Sequence, residues 1–178
     1  MRHLSICLLA AIAIGPATLR AQAPARTATE IAHMFTKQKH VVKEKRGIRA
    51  EKFADVRSEP ALLREVRDYA GEYRADFGFT LRLSVSGDGA ITGAGEEPGR
   101  DGTVRRFELM DAEISEGLLR ATKAYDDGDR ERFAGAFLQR TDRRSPNGEA
   151  TRMFGLGVPD QDIRVDGMEV NKLFYQRQ

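Results

Sequence analysis

The chain has 178 residues, a formal net charge of +2, no tryptophan and a single cysteine, Cys7. That length allows one domain with a respectable core. A lone cysteine excludes an internal disulfide framework, and no apolar run reaches the ~20 residues that a membrane-spanning helix needs.

Residues 1–23 read as an export signal. Met1-Arg2-His3 is a positive start, Leu4 to Ile14 is apolar without charge, and Gly15-Pro16 breaks any helix there. Ala21-Gln22-Ala23 is the small-x-small pattern that a signal peptidase cuts after. Leu4-Ser5-Ile6-Cys7 is a poor lipobox, because the apolar run follows the cysteine and Ile6 is large for the position before the cut. The mature protein is expected to start near Pro24 and to be periplasmic or secreted. Cleavage removes Cys7, and with it any cysteine nucleophile or thiolate metal site. Arg2 and Arg20 leave too, so 27 basic and 27 acidic residues remain.

Charge is unevenly placed in that remainder. From Pro24 to Lys52 eight basic residues face three acidic ones, and the rest of the chain carries the balancing negative charge. Thr27 and Glu30 form a Ser/Thr-x-x-Glu capping box at a helix start. Ile31, Met34, Phe35, Gln38, Val41, Val42 and Lys45 follow at spacings of three and four, so a helix is expected from about Ala28 to Arg46, stopped by Gly47. Ile48 to Arg57 reads either way. Glu59-Pro60 restarts order, and Leu62, Leu63, Val66 and Tyr69 fit a short helix.

After Tyr69 the period becomes alternating. Phe79, Leu81, Leu83 and Val85 alternate with Thr80, Arg82, Ser84 and Ser86, the mark of a half-buried strand. Gly87-Asp88-Gly89 is a hairpin turn. Further strands are expected at Ala90–Glu96, Thr103–Met110, Glu113–Ser115, Leu118–Tyr125, Glu131–Arg140 and Thr151–Val158. Asp142 to Glu149 is a polar loop and Pro159-Asp160 a turn. Ile163–Val165 and Met168–Gln176 close the chain as a hairpin about Asp166-Gly167. No crossover is long enough for parallel pairing, so the sheet should be an antiparallel meander. Glycines inside strands (Gly93, Gly95, Gly135, Gly155, Gly157) permit bending. The expected fold is mainly β: a small closed or nearly closed barrel preceded by one amphipathic helix. The expected organisation is a signal peptide at 1–23, a basic helical arm and linker at 24–60, and the barrel at 61–178.

Tyr69-Ala70-Gly71-Glu72-Tyr73, the strand Phe79 to Val85 and the Gly87-Asp88-Gly89 turn resemble the opening of a lipocalin-like bacterial β domain. That domain begins Tyr-x-Gly-x-Tyr and often sits C-terminal to β-lactamase-related serine hydrolases. Ala121 to Gly128 and Lys172-Leu173-Phe174-Tyr175 look like its later parts, so the likeness runs from about Tyr69 to Gln178. It implies a lipocalin-like, non-catalytic barrel and transfers no site residues. No hydrolase module precedes the barrel in this chain.

Catalytic motifs are missing. No serine is followed three positions later by lysine, and no Gly-x-Ser-x-Gly occurs. His33 and His40 would stand about two turns, ~10 Å, apart on the expected helix, too far for one metal ion. Asp127 and Asp129 match only a fragment of a calcium loop. Neither a catalytic residue, a metal site nor a cofactor is therefore expected. Two binding readings stay open. The barrel interior, with Phe79, Leu81, Leu83, Val85, Phe107, Leu109, Phe133, Phe137, Phe154, Leu156 and Phe174, could hold a small apolar ligand or be filled by its own side chains. Alternatively the basic N-terminal helix meets an anionic envelope partner. An enzyme with carboxylates not yet singled out is the third reading. The expected partners are a small apolar ligand or an envelope component, without nucleic acid and without a transmembrane span.

Overall fold

A computed structural model of the chain describes residues 26–45, 48–99, 101–143, 149–165 and 168–178. The expected export signal, Arg46-Gly47, Arg100, most of the expected 142–149 loop and the expected Asp166-Gly167 turn lie outside the described residues. One helix, α1 (Ala28–Phe35), precedes ten strands: β1 (Lys37–Lys45), β2 (Ile48–Pro60), β3 (Gly71–Arg74), β4 (Thr80–Val85), β5 (Ile91–Pro98), β6 (Val104–Ser115), β7 (Leu118–Tyr125), β8 (Arg130–Arg143), β9 (Thr151–Val165) and β10 (Met168–Arg177). All pairings are antiparallel.

Strands β3 to β10 follow one another as a meander, and β10 returns to β3, which closes an eight-stranded barrel. The closing seam is short: Gln176 faces Arg74, Arg177 faces Tyr73, and the Gln178 amide donates to the Glu72 carbonyl at 2.9 Å. β2 pairs with the part of β8 that β7 leaves free, and β1 lies beyond β2. The strands expected at Thr103–Met110 and Glu113–Ser115 are one strand, β6, with a register shift between Met110 and Glu113.

Alternation puts Leu81, Leu83, Phe107, Leu119, Phe137, Leu156 and Tyr175 in one buried interior cluster. Gly95 lies beneath one of its rings. A Cβ there would press on the Thr80 carbonyl and sit 2.5 Å from Phe107 Cζ. The segment before β3 covers one end of the barrel. Tyr69 packs on Phe137 with ring centroids 4.2 Å apart, and its hydroxyl donates to Ala61 and accepts from the Leu63 amide. Tyr73 donates to the Tyr69 carbonyl, so the Tyr-x-Gly-x-Tyr segment works as a cover tied to the first strand of the barrel.

The helix is shorter than its sequence pattern predicts. The Thr27–Glu30 capping box forms in both directions, contributing roughly 1 kcal/mol. Ala28, Ile31, Ala32 and Phe35 are buried against Leu118, Ala136 and Leu138 on the barrel's outer face. At Thr36 the chain turns extended, and residues 37–45 pair with 48–56 as a hairpin. Two physical reasons stand out. Thr36, Val41 and Val42 are β-branched and disfavour helix, and the later members of the 3–4 pattern, Gln38 and Lys45, give no apolar face to bury. Thr36 then ties the helix end to β2, its hydroxyl accepting from the Ser58 amide at 3.1 Å. His33 is therefore on α1 and His40 on β1, not on one helix.

Pro159-Asp160 is likewise not a turn. β9 runs through it, Pro159 faces Lys172, and the extra residues are absorbed by a bulge where Asp160 adopts φ 60°.

The substitution Gly95→Ala should destabilise the fold by about 1–3 kcal/mol, because the clash is with backbone and a fully buried ring. Urea denaturation measures it; a change below about 0.5 kcal/mol would mean that the strand yields there.

Candidate functional site

The expected interior residues divide into three groups. Phe79, Leu81, Leu83, Phe107, Phe133 and Phe137 all lie in the buried barrel cluster, with Leu109 and Leu156. Phe154 is half-buried at its margin, stacked on Phe137 at 6.1 Å. Val85 is half-buried at the end of β4. Phe174 is outside the barrel and packs against Phe35 of α1, centroids 6.3 Å apart. Leu173, Phe174 and Tyr175 are consecutive and apolar, so period alone does not choose which of them points inward. The structure puts Leu173 and Tyr175 in the core and Phe174 under the helix.

The interior is occupied by these side chains. Tyr73, Phe79, Phe107, Phe137 and Tyr175 are fully buried, and Phe79 meets Tyr175 edge-on at 6.3 Å.

At the end of the barrel where β5 and β7 finish, the interior changes character. Lys123 is only 1% exposed and Glu97 only 3%. The Lys123 ammonium crosses above the Phe107 ring, 4.6 Å from its centroid, and meets Glu97 Oε2 at 2.5 Å. Phe133 lies on another side of it, at 5.0 Å. The Tyr125 hydroxyl is 2.7 Å from Glu97 Oε1 and 3.0 Å from Glu131 Oε2. A phenol has one proton to donate, and the shorter contact is to Glu97. Arg105 covers the mouth. Its guanidinium lies 3.8 Å over the Tyr125 ring and binds Asp127 and Asp129 of the β7–β8 turn, each at 2.9 Å. The two aspartates that faintly resemble a calcium loop thus hold an arginine.

Sequence reasoning missed Lys123 and Glu97, yet both carry a signal. Leu119, Ala121, Lys123 and Tyr125 share one face of β7, and Gly93, Gly95 and Glu97 share one face of β5. A charge on an inward register is rare unless it is paired. The pair is sealed from solvent, so it has no route to a substrate. Among the described residues no group of three His, Cys, Asp or Glu side chains gathers as a metal site would.

On the outside, a groove of about 510 Å³ runs between α1, β8–β10 and the loop after β3. Phe35, Phe174 and Met153 supply apolar surface to it, with Lys37, Arg74 and Lys172 among the charged residues of its lining. Lys172 donates to the Met34 carbonyl at 3.0 Å, which fixes it beside the helix end. Phe77 belongs to the same lining. It is 46% exposed and sits at φ 65°, a left-handed conformation that costs a non-glycine residue about 1–3 kcal/mol.

No protein-family model matches this chain, and neither the curated proteins nor the solved structures contain a significant match to it.

Lys123→Ala should cost about 3–5 kcal/mol, because it strands the Glu97 charge in the core. Lys123→Met combined with Glu97→Gln should recover most of that loss. Urea denaturation of the three proteins tests this; a double variant no more stable than Lys123→Ala would contradict it.

Burial raises the phenol pKa of Tyr73, Tyr125 and Tyr175, and the negative charge of Glu97 adds to this at Tyr125 and Tyr175. The native state holds these protons more tightly than the unfolded chain. The stability they contribute is complete below about pH 10 and is lost as pH rises beyond it. In an ultraviolet titration these three tyrosines should ionise only together with the loss of far-ultraviolet dichroism. Independent ionisation near pH 10 in the folded protein would refute the burial argument.

Proposed function

We propose that this chain is an exported, non-catalytic binding protein that takes a small apolar ligand on the outer surface of its barrel. The reading rests chiefly on the contrast between an interior filled by its own rings and an open, mixed polar and apolar groove beside α1 that has Phe77, Met153 and Phe174 in its lining. An exposed aromatic held in a costly backbone conformation at that groove supports it, since such strain persists where a site needs it. The lipocalin-like resemblance of Tyr69 to Tyr73 and the export signal at 1–23 are consistent with a carrier outside the cytoplasm. Carriage within the barrel is the less favoured form, because a guest would have to displace Phe79, Phe107 or Phe137. Catalysis is disfavoured too, because the Lys123–Glu97–Tyr125 cluster of buried ionisable groups is closed to substrate.

Native mass spectrometry of protein taken from its own host should reveal a bound mass that departs on denaturation. Anilinonaphthalene sulfonate should bind to emptied protein. Phe77→Ala and Met153→Ser should each weaken that binding roughly fivefold through lost apolar contact, without lowering thermal stability. Leu83→Ala should lower stability and leave dye affinity alone. Empty native protein, together with dye affinity indifferent to Phe77 and Met153, would end this reading.

A further inference from the structure

The β1–β2 hairpin extends past the barrel. β8 is paired with β2 only as far as Asp55–Arg143, and residues 48–54 of β2 pair with β1 alone among the described residues. The register runs from Lys37 opposite Val56 to Lys45 opposite Ile48. Directly opposed residues of an antiparallel pair share a face, and faces alternate along each strand. One face therefore holds positions Lys37, Lys39, Val41, Lys43 and Lys45 together with Ile48, Ala50, Lys52, Ala54 and Val56. Five of these are lysines and none is a carboxylate. The other face holds Glu44, Glu51 and Asp55 against a single arginine, Arg49.

We propose that the lysine face of this ribbon docks on an anionic lipid surface. The charge is one-sided and spread along roughly 26 Å of strand, which suits a planar partner touching one face. A partner that enclosed the ribbon would meet the three carboxylates opposite. Val41 and Ile48 interleave the lysines, as apolar residues do in segments that lie at a headgroup boundary. On the same face Val56 pairs with Asp142 and Ser58 with Arg140 on β8, and Val56, Ser58 and Asp142 are buried there, so the docking positions are those beyond Val56. Lys37 and Lys172 border the groove there, so the membrane-facing side and the ligand groove would be neighbours. This docking stands independently of ligand binding in the groove.

Co-sedimentation of the full chain with vesicles tests it. The protein should pellet with vesicles containing phosphatidylglycerol and not with phosphatidylcholine alone, and added salt should release it. Each lysine at such a surface strengthens partition about fivefold, so Lys39→Gln, Lys43→Gln and Lys52→Gln together should weaken it by about 100-fold. Arg49→Gln on the opposite face should change it less than about twofold. Phe77→Ala should leave vesicle binding intact, which separates this test from that of the groove. Should the triple variant fold poorly, salt release of the wild type from anionic vesicles still decides. Equal binding to both vesicle types, salt-insensitive binding, or preference for a soluble polyanion such as heparin that vesicles do not displace would overturn the proposal.

Discussion

An eight-stranded barrel has an interior only just wide enough for side chains, and its closure depends on filling that space. Everything else in this molecule follows from how it is filled. Five aromatic rings, from Tyr73, Phe79, Phe107, Phe137 and Tyr175, occupy the middle. Each contributes roughly 1.5–3 kcal/mol by leaving water. Rings of this size fit only because opposing positions are small. Gly95 faces Phe107 in register, and Gly93 faces Leu109. The glycines are thus the volume complement of the rings, and the bending they allow comes with the same substitution of hydrogen for side chain.

Filling with rings leaves one end polar, and that end shows how a charge is tolerated inside. Lys123 has a carboxylate partner and two aromatic faces within 5.0 Å. Glu97 has the ammonium and a phenol. With both charges partnered, the pair contributes little net stability but penalises any register in which the partners separate. β5 and β7 are not neighbours; β6 lies between them. The pair therefore constrains three strands at once, which a backbone ladder between two strands does not. At the other end the cover is apolar, with Tyr69 on Phe137.

The strands of the barrel were legible because most of them bury only one side. Thr80 to Val85 alternates cleanly, and the sheet uses it that way. Legibility fails where both sides are buried and where apolar residues are few and irregularly spaced. Leu173-Phe174-Tyr175 is apolar throughout because α1 covers the outer face there, so the inward set was hidden. Lys37 to Asp55 is mostly polar, so the 3–4 spacing of Val41 and Val42 after Met34 and Phe35 imitated a helix that pairing with β2 defeats. Lys123 and Glu97 were readable in principle. Their charge points to the wet face, and only their parity with Leu119, Ala121 and Tyr125 on β7 and with Gly93 and Gly95 on β5 points inward. The groove could not be read at all, since it joins α1, β8–β10 and the loop at Phe77, which are close only after closure.

The outer face bears on what the barrel can do. Across β3 to β6 it carries cross-strand ion pairs, Glu72 with Arg82 and Glu96 with Arg106. Charged outside and apolar inside is the reverse of a barrel that spans a bilayer. On that exterior α1 covers an apolar patch, where Ala136 and Gly157 let the helix approach and a Cβ on Gly157 would lie 3.0 Å from the Phe35 ring. The helix covers this ground only as far as Phe35, since at Thr36 the chain leaves to form β1. Helix length and groove position are thus one fact. Had α1 continued to Arg46, as its sequence pattern predicts, it would have extended beyond Phe35. The early stop beside Phe35 and Phe174 instead frees the following lysine-rich segment to run outward as a strand.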